Sequence, residues 1–121
     1  MDRYRAGLLA EALAALVLRL KGFRILARRY ATRLGEIDIV AERRGLVVFV
    51  EVKRRARHAE ALLALRPQQR RRIERAARQF LVERPQLATS AVRFDVVSFD
   101  RFGLPRHLPD AWRPGDGGSR S

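Results

Sequence analysis

Residues 35–55 read GEIDIVAERRGLVVFVEVKRR, and they carry the clearest hairpin signal of the chain. Two runs rich in β-branched residues, 36–43 and 46–54, predict two strands joined by Arg44 and Gly45. An arginine is not the ideal residue for a two-residue turn, because the central positions of such a turn need positive φ. A three-residue loop with a bulge is therefore the alternative, and it would shift the pairing of the two strands by one residue.

The turn determines which polar side chains meet. A two-residue turn places Asp38 opposite Glu51 and Glu36 opposite Lys53, with all four side chains on one face of the hairpin. Opposed Cβ atoms lie about 5 Å apart, and like charges at that distance destabilise a sheet. The two carboxylates therefore favour a hard divalent cation such as Mg²⁺ between them. The alternative is an ordinary solvated face with a Glu36–Lys53 surface pair worth less than about 1 kcal/mol.

Two further residues favour a functional site. Glu11 is the one charged side chain in the apolar run 6–18, on a helix face that it shares with Ala14 and Leu18. An ionised carboxylate is costly there unless it is paired, bound to a metal or open to solvent. Lys53 is one of only two lysines beside 24 arginines. Lysine is a compact point charge with a movable pKa, so it can position or deprotonate a water molecule.

The remaining elements follow from the spacing of apolar residues. The pattern predicts a first helix ending at Gly22, a strand over 23–30, a loop with some helical tendency over 58–66, a second helix beginning at Pro67 and a strand over 91–99. Leucines at 9, 13, 16 and 20 form the apolar stripe of the first helix. We expect one α/β domain over residues 1–112, in the order α-β-β-β-α-β, and a disordered tail over 113–121.

The charge of the chain indicates its partner. The formal net charge is +13, and residues 54–84 hold ten arginines against three glutamates. On the second helix Arg71, Arg75 and Arg78 form an outward stripe of one sign, which favours contacts with phosphates. Nucleic acid is therefore the expected partner. The first apolar run is too short to cross a bilayer, and cations follow it instead of a cleavage site, so we expect a cytoplasmic protein without membrane contact.

Two segments of the hairpin resemble a known family. GEID at 35–38 and FVEVKRR at 49–55 are similar to the YraN family of small bacterial proteins, grouped with the PD-(D/E)xK, restriction-endonuclease-like superfamily. The likeness extends to Gly7 and Glu11 in the first helix and covers roughly residues 3–112. It implies a single-domain endonuclease-like fold, with a mixed central β-sheet flanked by helices.

The resemblance also implies roles for individual residues. Asp38 and Glu51, helped by the Val52 carbonyl, would hold Mg²⁺ or Mn²⁺, Glu11 would complete the acidic cluster, and Lys53 would handle the attacking water. The chain departs from the family pattern in two places. Where the family often has a lysine in the second helix and a threonine after the catalytic lysine, this chain has the residues Gln69 and Arg54.

Together these features predict a metal-dependent nuclease that hydrolyses phosphodiester bonds in structured or branched DNA. The expected nucleic-acid contacts are Arg54, Arg55, Gln69, Arg71, Arg75 and Arg78. DNA is favoured over RNA, and a homodimer is compatible with cutting both strands of a duplex. The alternative is a non-catalytic nucleic-acid-binding protein that keeps the endonuclease-like fold. The chain has no cysteine, which excludes disulfides and thiolate zinc sites.

Overall fold

A computed structural model describes residues 2–115 of the chain. Its helices and strands are α1 (Arg3–Leu20), β1 (Arg24–Ala31), β2 (Glu36–Arg43), β3 (Leu46–Arg54), α2 (His58–Leu63), α3 (Pro67–Val82), β4 (Ala91–Phe99) and β5 (Pro105–Trp112). The strands form one sheet in the order β1-β2-β3-β4-β5. Only β3 and β4 are parallel, and α2 and α3 make the crossover between them.

The β2–β3 hairpin has the predicted register. Ile39 pairs with Val50, as a two-residue turn requires, and the ladder continues from there to the turn. Arg44 and Gly45 both have positive φ, 51° and 78°, which is the geometry of a type I′ turn. The bulged alternative is therefore excluded, and the hairpin twists with the sheet.

Helices cover both faces of the sheet. On one face, α1 packs through Ala10, Ala14, Ala15 and Leu18 against side chains of β2, β3 and β4. On the other face, α3 packs through Ile73, Ala76, Ala77 and Phe80, and α2 adds Ala61. The central strand β3 is buried on both sides, which explains its unbroken run of apolar residues.

The buried face of α1 differs from the expected one. The leucine stripe points to solvent, with Leu9 and Leu16 each 48% exposed and Leu20 79% exposed. The helix instead buries its alanines together with Glu11. Alanine side chains are short, so they let the helix backbone lie close to the sheet, whereas a face of leucines would hold it away. The prediction that the leucines form the apolar packing face is therefore wrong.

The α/β class with a mixed, helix-flanked sheet is confirmed, and it is consistent with a single-domain endonuclease-like fold. Two elements differ from the prediction: the helical tendency expected within the loop over 58–66 becomes the helix α2, and β5 adds an edge strand. Most of the tail predicted over 113–121, namely residues 116–121, lies outside the described residues. In the part of the chain that the structure describes, no helix is long and apolar enough to cross a bilayer.

Candidate active site

The candidate site lies where β2 and β3 separate. Their ladder ends at Ile39 and Val50, and beyond it the backbone N–H of Val52 donates to Asp38 Oδ2 at 2.8 Å. The Asp38 carboxylate thus accepts a strand N–H that a backbone carbonyl would accept in a continued ladder. A side chain between two strands keeps them apart, so it makes room for other polar groups at this end of the sheet.

Two cavities meet at Asp38. The first, which we call the α1-side cavity, has a volume of about 380 Å³ and is also lined by Glu11, Val52 and Lys53. The second, the α3-side cavity, has a volume of about 470 Å³, and its lining includes Glu36, Glu51 and Gln69 beside Asp38. The alternation of side chains predicted that the four polar residues of the hairpin line a single face. In the structure they are instead divided between the two cavities, with Asp38 lining both. The two strands have separated here, so the site is open toward both helix layers.

Glu51 is a buried carboxylate in a polar network. It is 8% exposed, it accepts a hydrogen bond from Gln69 Nε2 at 2.9 Å, and its Oε2 lies 3.5 Å from Lys53 Nζ. Burial, reinforced by the neighbouring Asp38 carboxylate, raises the pKa of Glu51 to about 9, against the opposing effect of Lys53. The Glu51 carboxyl therefore keeps its proton at neutral pH in the metal-free protein. The solvated-face alternative is wrong for Glu51, because its side chain is only 10% exposed.

Glu11 is buried as well, and it is paired with cations. Its side chain is 9% exposed; Arg28 Nε donates to its Oε1 at 3.0 Å, and Arg29 Nε lies 3.9 Å from its Oε2. The structure thus brings Glu11 to the same cavity as Asp38 but directs its carboxylate toward β1. Among residues 2–115, no three His, Cys, Asp or Glu side chains are grouped closely enough to hold a metal ion. The role of Glu11 as a ligand stays a prediction.

Asp38 and Glu51 nevertheless fit a divalent cation. Burial and the neighbouring Asp38 carboxylate both disfavour the ionised form of Glu51, so a cation bound beside the two groups would relieve their repulsion. Carboxylate oxygens are the ligands that Mg²⁺ and Mn²⁺ prefer, and Mg²⁺ needs only one or two of them beside waters and phosphate. Val52, whose N–H already fixes Asp38, is the third predicted ligand through its carbonyl.

The predicted nucleic-acid contacts fall into three groups. Arg54 and Arg55 are exposed and line the α1-side cavity. Gln69 lies inside the site, where it donates to Glu51, so its position was predicted but its partner was not. The third group, made of Arg71, Arg75 and Arg78, is exposed on the outer face of α3 as expected, and none of the three lines either cavity in the described part of the chain.

Sequence reasoning missed several cationic residues of the site. Arg3 and Arg29 line the α1-side cavity, whereas Arg66 and Arg72 line the α3-side cavity. Arg66 and Arg72 belong to the arginine-rich segment, and a prediction of where α3 meets the hairpin could have found them. Nothing in the sequence distinguishes Arg29, because its place depends on the backbone conformation of β1.

Comparison with known proteins finds close relatives. A model of the uncharacterised protein family UPF0102 matches residues 10–99. The UPF0102 protein amb4503 of Paramagnetospirillum magneticum is 55% identical over 113 residues, covering 90% of this chain and 88% of its own. A UPF0102 protein of Parvibaculum lavamentivorans is 52% identical over 111 residues, covering 92% and 84% respectively. The UPF0102 protein RPA0323 of Rhodopseudomonas palustris is 50% identical over 109 residues, covering 90% and 84%.

Proposed function

We propose that this chain, which belongs to the uncharacterised protein family UPF0102, is a metal-dependent nuclease that hydrolyses phosphodiester bonds in structured or branched DNA. One observation carries the proposal. Asp38 and Glu51 meet at the separated strand ends with Lys53 Nζ 3.5 Å from the Glu51 carboxylate, in a chain that otherwise uses arginine for nearly every cation. The resemblance to the PD-(D/E)xK superfamily, carried by the same residues, supports it.

Each residue has a distinct part in this reaction. Asp38 and Glu51, with the Val52 carbonyl, would hold Mg²⁺ or Mn²⁺, which activates water and neutralises charge on the phosphate when it is bound. Gln69 donates to Glu51 and so orients that carboxylate. Lys53 lines the α1-side cavity, and its ammonium could there donate to a phosphate oxygen or to the attacking water. Its side chain is only 14% exposed, so little bulk water competes with that contact.

The positive charge supports nucleic acid as the substrate. Arg54 and Arg55 line the cavity of Lys53, and the exposed stripe of Arg71, Arg75 and Arg78 lies on α3, the helix that supplies Gln69. Arginine contacts with phosphates bind strongly at low salt without reading sequence, which fits a substrate recognised by its shape. The cytoplasmic location and the homodimer expected from the sequence stay predictions.

A cleavage panel tests the proposal. Purified protein is incubated with labelled duplex, flap, four-way-junction and single-stranded DNA, with Mg²⁺, with Mn²⁺ or with EDTA. We expect metal-dependent cleavage of at least one branched substrate, abolished by Lys53→Ala, while binding of the same DNA in EDTA stays largely intact. Binding survives because the arginines hold the DNA, whereas Lys53 acts on the reacting groups.

The chain offers a matched control in its other lysine. Lys21, at the opposite end of α1, contacts His107 at 2.9 Å and lines neither cavity of the site in residues 2–115. Lys21→Ala removes the same charge, so it should cleave at the wild-type rate. A Lys53→Ala variant that cuts as fast as Lys21→Ala would contradict the role given to Lys53, and uncut substrate in every metal would contradict the nuclease itself.

The pairing of Glu11 favours a second candidate, a nucleic-acid-binding protein without turnover. Its carboxylate is held by Arg28 and Arg29, and in the described part of the chain no three His, Cys, Asp or Glu side chains are grouped closely enough to hold a metal ion. A non-catalytic protein should bind the DNA panel with strong salt dependence and with the same affinity in EDTA and in Mg²⁺. Any metal-dependent product that disappears with Lys53→Ala excludes this candidate.

A further inference from the structure

Arg29 has an unusual backbone conformation for a strand residue. Its φ is 54°, in the left-handed region that glycine adopts readily and other residues rarely do, although it lies within β1 between the paired residues Arg28 and Tyr30. A residue other than glycine keeps such a conformation only where its surroundings enforce it, and such positions are concentrated at functional sites.

The conformation changes where the Arg29 side chain points. Consecutive side chains of a regular strand point to opposite faces. Here Arg28 Nε and Arg29 Nε lie 3.0 Å and 3.9 Å from the two oxygens of the same carboxylate, that of Glu11. The left-handed residue therefore brings two successive arginines to the α1 side of the sheet, which a regular β1 would not do.

Two residues of α1 hold the Arg29 guanidinium in place. Glu11 approaches its Nε, and the guanidinium carbon lies 5.9 Å from the centre of the Tyr4 ring. The Arg29 side chain is still 47% exposed, so a ligand can reach it. Held from the helix and from the strand, it lines the α1-side cavity together with Asp38 and Lys53.

The charge of this cavity suits an anion. Its lining contains five cations, Arg3, Arg29, Lys53, Arg54 and Arg55, and two carboxylates, Glu11 and Asp38. Glu11 is already paired with arginines of β1, so it attracts little further positive charge. A guanidinium presents a planar fork of donors that matches the oxygens of a phosphate group.

We propose that Arg29 binds a backbone phosphate of the nucleic acid in the α1-side cavity, and that Glu11 and Tyr4 are positioning residues that hold its guanidinium there. The proposal rests on the proposed function only in taking nucleic acid as the ligand. It gives Glu11 a purpose that needs no metal: the carboxylate arranges the arginines of β1 rather than completing the acidic pair.

The test compares two arginines with the same backbone conformation. Arg29→Gly and Arg44→Gly each remove one positive charge, and each replaces a residue of positive φ, 54° and 51°, by the residue that prefers it. Arg44 lies in the β2–β3 turn, at the end of β2 remote from Asp38. Binding of a fluorescein-labelled four-way junction and a duplex is measured by anisotropy in EDTA, over a series of salt concentrations.

We expect Arg29→Gly to weaken binding about tenfold at low salt. The plot of the logarithm of the association constant against the logarithm of the salt concentration should also become less steep by about one, because one phosphate contact is lost. Arg44→Gly should bind as the wild type does. Thermal unfolding should show both variants folded, and Arg29→Asn, which also tolerates positive φ, gives a second measurement at the same site. Arg29→Lys should recover part of the affinity.

Equal affinity for Arg29→Gly and Arg44→Gly would overturn the inference, and it would leave the nuclease proposal untouched if the DNA is still cut in Mg²⁺. The two proposals can also fail the other way round, with the phosphate contact supported and catalysis contradicted. A loss of affinity confined to Arg29→Gly, in a protein that cuts no substrate, would support the phosphate contact and contradict catalysis. A wild-type protein that binds none of the nucleic acids would overturn both.

Discussion

Glu51→Gln should stabilise the metal-free protein at neutral pH, although it removes a residue of the candidate site. The pKa of the Glu51 carboxyl rises from 4.5 to about 9 on folding, because the group is buried beside Asp38. Between those values the folded chain holds a proton that the unfolded chain has released, so folding stability falls as the pH rises through this window. At pH 7 the free energy of unfolding is therefore about 3 kcal/mol lower than it would be if the side chain at position 51 did not ionise.

Glutamine resembles the protonated glutamate but does not titrate. It keeps an oxygen for the hydrogen bond from Gln69 and a donor for Asp38. We therefore expect Glu51→Gln to raise the free energy of unfolding by about 2–3 kcal/mol at pH 7, roughly 10 °C in melting temperature, and by less than about 1 kcal/mol at pH 5. Urea and thermal unfolding, followed by circular dichroism in EDTA from pH 5 to pH 8, measure both values.

Two controls accompany this experiment: a glutamate-to-glutamine variant at an exposed position, and the wild type measured with Mg²⁺. Glu36→Gln changes an exposed glutamate at the same end of the β2–β3 hairpin, so the stability of this variant should stay within about 0.5 kcal/mol of the wild type at every pH. Excess Mg²⁺ should raise the melting temperature of the wild type more than that of Glu51→Gln, since binding to the folded state alone stabilises it. A Glu51→Gln variant that is less stable than the wild type at pH 7, or that differs from it equally at all pH values, would refute the reasoning.

Two pairs of variants test the packing around the site. Leu18→Ala should cost about 2–5 kcal/mol in urea unfolding, whereas Leu16→Ala on the exposed stripe should cost less than about 1 kcal/mol; equal losses would contradict the orientation of α1. Gly7→Ala, with nothing within 4 Å of the added Cβ, should stabilise α1 by roughly 0.5–1 kcal/mol. Gly35→Ala would place its Cβ 2.6 Å from the carbonyl oxygen of Arg72, so it should cost at least about 1–3 kcal/mol, and an unchanged melting temperature would refute that contact.

Local sequence was sufficient for the hairpin and insufficient for the edge of the sheet. The turn at Arg44 and Gly45 and the alternation beside it determine the register of β2 and β3, and all of this information lies within 20 residues. The edge strand β5 carries two prolines, Pro105 and Pro109, and a residue of positive φ, Asp110. Its only neighbouring strand in the sheet is β4, and prolines are tolerated on an edge, so its own sequence does not resemble a strand.

The orientation of α1 shows why hydrophobicity alone misidentified a packing face. Leucines bury more apolar area than alanines, so a helix considered by itself favours the leucine stripe as its core face. The sheet imposes a different condition. Ala14 and Ala15 are fully buried because they allow close approach to β2 and β3, and the same approach brings Glu11 within reach of β1. The distance between helix and sheet is a tertiary property, and no spacing within α1 encodes it.

The two halves of the candidate site therefore differ in how they are specified. Asp38, Glu51 and Lys53 come from one hairpin, so strand register places them together and the sequence predicts their proximity. Glu11 and Arg29 come from different elements, and they meet only because α1 packs closely on the sheet and because β1 departs from regular geometry. The apolar neighbours of Glu11 show that its carboxylate needs a partner. Its partners in the structure, Arg28 and Arg29, follow from the close packing of α1 on the sheet and from the conformation of β1, neither of which is encoded within α1.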